Sequence, residues 1–169
     1  WITDRASAGN LFSPLPVTRQ SLEAYYEASQ PPSVVMFAVC DKESDRYTGN
    51  ARLSSIDYLN RTAVYGRLIG DREFKGRGYG SEALILLLRY GFHELGLNRI
   101  WSTMWVENEA SDRSNTKVGM AREGIMREHV WKNGRFWDVV VLAMLRPDFD
   151  RLHGTPEMWR ERDAARRQR

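Results

Sequence analysis

A chain of 169 residues with 42% apolar and 28% charged residues has the length and composition of one globular domain. Its net charge of +3 is concentrated in the final stretch WRERDAARRQR. A nucleic-acid-binding domain carries its basic stripe within the fold, so we expect no such partner. No apolar run reaches the ~18 residues of a membrane span, and the single cysteine, Cys40, rules out an internal disulfide and favours a cytoplasmic location.

The first half of the chain predicts one short helix followed by three antiparallel strands. Residues 20–29 have helical character and stop before Pro31 and Pro32. Three segments rich in β-branched and aromatic residues follow with short connections between them, namely 33–40, 46–57 and 61–70. Short connections between consecutive strands predict an antiparallel meander.

The second half alternates helices and strands. The apolar segment 81–95 predicts a helix that ends at Gly96, and 98–106 predicts a strand parallel to 61–70 through a right-handed crossover. A short helix follows, with Asn108 as N-cap and Gly119 just past its end. Asn133-Gly134 predicts a hairpin between 122–131 and 135–145. We therefore expect a mixed α/β domain over residues 1–150, with a charged helix or tail over 151–169.

Three glycines open the apolar helix, at positions 76, 78 and 80. A glycine-rich turn at a helix N-terminus can bind phosphate through free backbone N–H groups and the helix dipole. The segment lacks the Lys-Ser or Lys-Thr of the Walker loop, and its glycine spacing of two and two does not match the dinucleotide fingerprint. A strand-to-helix turn without a ligand is the remaining alternative.

The segment KGRGYG resembles the acetyl-CoA loop of the GCN5-related N-acetyltransferases, the GNAT superfamily, whose pattern is [QR]-x-x-G-x-[GA]. The segments NEASDRSNTKVGM and WKNGRFWDVVVLAML are similar to that superfamily's next helix and terminal hairpin. The likeness covers residues 33–147 and is closest to the branch of ribosomal-protein N-terminal acetyltransferases and related small-molecule acetyltransferases. It implies a mostly antiparallel sheet with one splayed parallel strand pair and helices on both faces.

The resemblance also implies a reaction, the direct transfer of an acetyl group from acetyl-CoA to a primary amine, without a metal. The amine could belong to a small molecule or a protein N-terminus, and the protein could be a monomer or a homodimer. A non-catalytic acyl-CoA sensor of the same fold is the alternative. A backbone N–H at a bulged end of strand 61–70 would hold the carbonyl oxygen of the thioester. The implied cofactor-binding residues are Leu68, Ile69, Gly70, Lys75, Gly76, Arg77, Gly78, Tyr79, Gly80, Ser81 and Asn108.

The leaving-group side of the site departs from the family pattern. Lys75 replaces the usual Gln or Arg of the loop and keeps a positive charge without the planar fork. Asn115 stands where many relatives have the tyrosine that reprotonates the leaving thiolate. Ser111 is then the candidate hydrogen-bond donor to the sulfur.

The general base is also not where the family pattern places it, since residues 63–66 contain no acid. The candidates are Glu128, His129 and Asp138, all on the final hairpin, and we select Glu128. Strand alternation predicts that Glu128 and His129 point to opposite faces. Asp138 lies among apolar residues and needs a partner, which we expect to be structural.

Residues 1–32 resemble only the second half of the family's N-terminal region. We therefore expect this chain to lack the family's first strand, and its remaining acceptor wall does not identify the amine.

Overall fold

The computed structural model describes residues 18–167, and the expectations for residues 1–17, including the missing first strand, lie outside that part of the chain. The helices are α1 (Arg19–Ala28), α2 (Tyr79–Arg89), α3 (Glu109–Val118), α4 (Arg146–His153) and α5 (Pro156–Arg167). The strands are β1 (Val35–Cys40), β2 (Tyr47–Asp57), β3 (Thr62–Ile69), β4 (Arg99–Trp105), β5 (Ala121–Lys132) and β6 (Arg135–Leu145).

The six strands form one mixed sheet in the order β1-β2-β3-β4-β6-β5. The predicted meander is confirmed, because β1, β2 and β3 pair antiparallel. The predicted parallel pair is confirmed as well, since β3 and β4 are the parallel neighbours and β4, β6 and β5 return to antiparallel pairing. The α2 helix begins two residues earlier than expected, and a π-helical turn, Tyr90–Glu94, continues it to Gly96.

Helices lie on both faces of the sheet, as predicted. On one face α2 buries Leu84 and Leu88 completely, and each such side chain contributes roughly 1.5–3 kcal/mol of transfer free energy. A Cβ at Gly91 would lie 2.5 Å from a methyl carbon of Ile100, so only glycine lets the helix approach β4 this closely. On the other face α1 contacts β2 through the Tyr25 hydroxyl, which accepts a hydrogen bond from Arg52.

The final hairpin has the predicted turn at Asn133-Gly134, where both residues have positive φ, as a type I′ turn requires. The strict alternation of side-chain directions expected along its first strand, β5, does not hold. Met126 pairs with Val139 and Val130 with Trp137, so the three residues between them bulge out opposite Asp138 alone. The alternation rule behind the expectation that Glu128 and His129 point to opposite faces does not apply here, because both residues lie in the bulge, and that expectation stays a prediction.

The C-terminal helices pack onto the domain. Phe149 of α4 is fully buried against Phe92, with ring centroids 5.3 Å apart, and Arg89 of α2 pairs with Asp163 of α5. Residue 150, the expected boundary, lies inside α4, and the division into two parts stays a prediction. Across the described residues no helix has the length and apolar character needed to cross a membrane.

Candidate active site

The parallel strands β3 and β4 diverge along their length and leave a gap in the sheet. They pair only from Thr62–Val64 to Arg99–Trp101, although β3 continues to Ile69 and β4 to Trp105. The remaining residues of each strand have no partner on the other strand. The splayed pair expected from the sequence is thus present.

The direction of the backbone groups shows which residues of β3 face this gap. The N–H of Gly70 donates to the carbonyl of Thr48 on β2 at 2.9 Å. Because successive residues of a strand direct their backbone groups to opposite sides, Leu68 also faces β2, whereas Arg67 and Ile69 face the gap. Pairing with β2 is regular from Val64 to Ile69, and just past this end the N–H groups of Gly70 and Asp71 both donate to the carbonyl of Thr48.

The glycine loop leads from the end of β3 to the start of α2. Gly76 and Gly78 have φ values of +76° and +94°, and a Cβ at either residue would meet no atom within 4 Å. The carbonyl of Gly78 accepts the N–H groups of Ser81 and Glu82. No described residue offers an acceptor to the N–H groups of Tyr79 and Gly80, which point out of the helix N-terminus. The loop is therefore an open cradle of backbone donors.

Contacts from Tyr79 fix the start of α2. Its ring packs edge-on against Phe74 with centroids 5.0 Å apart, and its hydroxyl donates to the carboxylate of Asp41. Hydrogen bonds from Ser44 and then from Tyr79 lower the pKa of Asp41 to about 2. The guanidinium of Arg77 lies over the Phe74 ring at 5.6 Å and leaves the mouth of the loop positively charged.

A buried polar cluster lies under the gap, between β3 and α3. Asn115 is 1% exposed, and its Oδ1 accepts hydrogen bonds from the Tyr65 hydroxyl at 2.8 Å and from Nη2 of Arg67 at 2.9 Å. Its Nδ2 donates to the Ser111 hydroxyl at 3.2 Å. The proton of Ser111 is thereby left to donate elsewhere.

Burial changes the acidity of this cluster. Desolvation raises the pKa of Tyr65 to about 12, so its hydroxyl stays a neutral donor at ordinary pH. Desolvation also lowers the pKa of the Arg67 guanidinium. The Nη1 of Arg67 is buried and has no hydrogen-bond partner among the described residues.

The remaining predicted residues on α3 have defined local roles. Asn108 is the N-cap, as predicted, and its Oδ1 accepts the N–H of Ser111 at 3.1 Å. Its side-chain amide is left to donate. The Ser81 and Ser114 hydroxyls lie 2.8 Å apart and join α2 to α3, so the two helices that border the gap are held together.

Of the three candidate bases, Asp138 has the structural partner that was expected. Its carboxylate accepts the N–H of Glu128 at 2.7 Å, which holds the bulge. The carbonyl of Asp138 accepts the N–H of Val106 at 3.3 Å, so β6 lies between the bulge on β5 and the end of β4. Glu128 and His129 are both exposed in the bulge.

Tyr65 and Arg67 are not among the residues that the sequence motifs predicted for the site. The signal was present in the sequence, since an arginine inside the apolar strand AVYGRLI needs either a partner or a function. The residues around the gap suit an extended ligand with an anionic end, because open backbone donors lie at the loop and a buried cation with a spare donor lies farther in. No group of His, Cys, Asp and Glu within residues 18–167 could hold a metal ion.

Comparisons with known proteins point in the same direction. The sequence model of the acetyltransferase (GNAT) domain matches residues 1–121. The chain is 37% identical over 128 residues to an uncharacterized N-acetyltransferase, YoaA, of Bacillus subtilis, covering 76% of this chain and 70% of that protein. It is 26% identical over 117 residues to the spermidine N(1)-acetyltransferase of Escherichia coli, covering 69% and 61% respectively.

A similar fold is seen in the crystal structure of spermidine N-acetyltransferase from Vibrio cholerae in complex with CoA and spermine. The TM-score is 0.79 at 25% sequence identity, and the match covers 86% of each chain.

Proposed function

Because this chain belongs to the GNAT acetyltransferase family, we propose that it transfers the acetyl group of acetyl-CoA to a primary amine within the gap between β3 and β4. The observation that carries the location is the continuity of the open glycine cradle with the splayed strands. An extended thioester that is anchored at the loop would place its reactive end in the gap.

The loop would bind the pyrophosphate of acetyl-CoA. The free N–H groups of Tyr79 and Gly80 and the dipole of α2 supply the donors, and Gly76 and Gly78 leave room for the phosphates. Lys75, Arg77 and Ser81 belong to the same anion site. Arg77 is exposed at the mouth of the loop, where its positive charge would face the phosphates.

The pantetheine arm would continue along the unpaired edge of β3. Of the stretch Leu68–Gly70, Ile69 is the residue whose backbone N–H and C=O face the gap, while Leu68 contributes its side chain and Gly70 is already bonded to β2. The free amide of Asn108 would reach the arm from the opposite side. The arm would thus replace the missing sheet partner.

The residues around the gap can also carry out the acetyl transfer. Another backbone N–H of β3 that faces the gap is our candidate donor to the thioester oxygen as negative charge develops there. Glu128, which the bulge exposes on β5 one strand away from β4, is the candidate base for the amine, directly or through one water. The Ser111 hydroxyl would donate a hydrogen bond to the departing sulfur. Holding both substrates in one geometry supplies much of the remaining rate.

We further propose that the acceptor carries one positive charge rather than several. Trp105 ends β4 at the open end of the gap and contacts Trp137 edge-on, with centroids 5.4 Å apart. The Lys132 ammonium lies 5.4 Å from the Trp105 ring, and the Arg135 guanidinium lies 3.5 Å from the Trp137 ring. The chain's own cations thus cover the aromatic faces that a polyamine would use, and Arg135 is also held by Glu107 at 3.4 Å.

Calorimetric titration with acetyl-CoA, followed by thiol release with a panel of amines, tests this proposal. The panel would contain spermidine, an amino sugar, a short peptide with a free N-terminus and a simple aromatic monoamine. We expect acetyl-CoA to bind and a monoamine to have a higher kcat/KM than spermidine. Replacing both Lys132 and Arg135 by glutamine should raise the rate with spermidine. Higher kcat/KM for spermidine in the unaltered protein would contradict the acceptor proposal alone.

A further inference from the structure

Arg67 is a buried cation without a matching anion. Its side chain leaves β3 toward α2 and α3, where Nη2 reaches Asn115 and buried Nη1 contacts no acceptor among the described residues. No carboxylate in that part of the chain pairs with it, and its one electrostatic neighbour there is the Tyr65 phenol, which is neutral. A desolvated charge in this condition lowers stability.

A structural role does not explain the residue. Asn115 already has a second donor, the Tyr65 hydroxyl, so the cluster does not require a guanidinium to satisfy its carbonyl. An apolar side chain of similar length would fill the same space without a charge. The spare donor therefore points to a ligand that supplies an acceptor, and the absence of a counter-ion points to one that develops negative charge.

The guanidinium lies between the loop and the far end of the gap. A Cβ at Gly80, in the first turn of α2, would lie 3.8 Å from Nε of Arg67, and the opposite end of the group reaches Asn115 on α3. Asn115 in turn contacts Ser111, which would donate to the departing sulfur. The charged group is thus inside the cluster that surrounds the leaving group.

We propose that Arg67 is a catalytic residue that stabilises the CoA thiolate as it leaves. This inference rests on the proposed function. The amine nitrogen forms a bond to the acetyl carbon, the carbon–sulfur bond breaks, and its electron pair remains on sulfur opposite Nη1 of Arg67. The proton lost by the amine goes to the base or to solvent, and solvent protonates the thiolate when CoA departs.

The thiolate fits Arg67 better than the other parts of the substrate do. The amides of the pantetheine arm are neutral, and a neutral acceptor does little to offset a buried cation. The pyrophosphate has the open backbone donors of Tyr79 and Gly80 at the loop. Of the two atoms that gain negative charge during the reaction, the thioester oxygen is assigned a backbone donor of β3, and the sulfur remains for Arg67, whose attraction is then stronger in the transition state than in the bound substrate.

The test compares Arg67→Met with Arg67→Lys and, as a control for charge alone, Arg77→Met. The pKa of the CoA thiol in the binary complex is measured from the ultraviolet absorbance of the thiolate, and acetyl-CoA affinity is measured by calorimetry. We expect the unaltered protein to lower the thiol pKa below that of free CoA. Arg67→Met should abolish this shift and lower kcat by about 100-fold, while acetyl-CoA affinity changes by less than about threefold.

Arg67→Lys should recover part of both effects, and Arg77→Met should leave the thiol pKa lowered. The melting temperature of Arg67→Met should be unchanged or higher, whereas a purely structural residue would lower it on removal. An unchanged thiol pKa in Arg67→Met would overturn the inference, as would a loss of acetyl-CoA affinity as large as the loss of kcat/KM. If the unaltered protein fails to bind CoA, the proposed function fails instead.

Discussion

The hydroxyl of Tyr65 donates to the side-chain oxygen of Asn115 at 2.8 Å, across the space between β3 and α3. The family resemblance predicts a tyrosine at the position of Asn115, and in this chain β3 brings the Tyr65 phenol to that residue. Because burial raises the pKa of Tyr65 to about 12, this phenol holds Asn115 and Ser111 in position as a neutral donor.

Tyr65 should make the free energy of unfolding depend on pH in the alkaline range. Its folded-state pKa of about 12 exceeds the ordinary value of 10.0, so the unfolded chain loses this proton first. The stabilisation is complete below about pH 10 and falls by roughly 2–3 kcal/mol as pH approaches 12. Urea unfolding at several alkaline pH values should show a shallower decline for Tyr65→Phe. Equal slopes in the two proteins would contradict this coupling.

Gly78 should be required for coenzyme binding more than for folding. Alanine at a φ of +94° costs about 1–2 kcal/mol of backbone strain, and its Cβ enters the open space in front of the loop. We expect Gly78→Ala to weaken acetyl-CoA binding at least about tenfold. Gly96→Ala is the matched control, because Gly96 has a φ of +65° and equally open surroundings away from the loop. Equal affinities in the two variants would exclude the loop as the pyrophosphate site.

The contribution of Asp41 to the free energy of unfolding should depend on pH in the acidic range. Its folded-state pKa is lowered from 3.8 to about 2, first by Ser44 and then by Tyr79, so the unfolded chain takes up this proton first. The contribution is present above about pH 4 and disappears as pH falls through about 2. Asp41→Asn should therefore lose less stability than the unaltered protein over this range. Glu43→Gln, which replaces an exposed acid in the same turn, should behave like the unaltered protein.

Replacing Glu128 should affect activity, whereas replacing Asp138 should affect stability. If Glu128 is the base, Glu128→Gln lowers kcat/KM by about 100-fold, with little change in melting temperature. Asp138→Ala should instead lower the free energy of unfolding by about 1–2 kcal/mol, because the N–H of Glu128 loses its acceptor. Unchanged activity in Glu128→Gln would show that Glu128 is not the base and that the amine loses its proton to solvent.

The order of the elements could be predicted because local chemistry fixes it. Asn133-Gly134 sets a tight turn, Asn108 and Gly119 set the ends of α3, and the short connections set the meander. The glycine spacing also located the loop before α2. These features each depend on a few neighbouring residues, which the sequence displays directly.

The interior of the site could not be predicted because it depends on contacts between distant residues. Tyr65 and Asn115 are 50 positions apart, and nothing local to either residue names the other. The bulge at Glu128 likewise depends on Asp138 across the hairpin, which defeats a simple alternation rule. The sequence indicated the substrate loop, and the fold added the cluster beneath the gap.

Residue-resolved amide hydrogen exchange, measured with and without CoA, tests most directly that the loop and the splayed strand bind the coenzyme. The amides of Tyr79, Gly80 and Ile69 should exchange more slowly with CoA bound, because each gains an acceptor. The amide of Gly70, already bonded to Thr48, should change little. Protection confined to other parts of the sheet, with these three amides unaffected, would contradict the account.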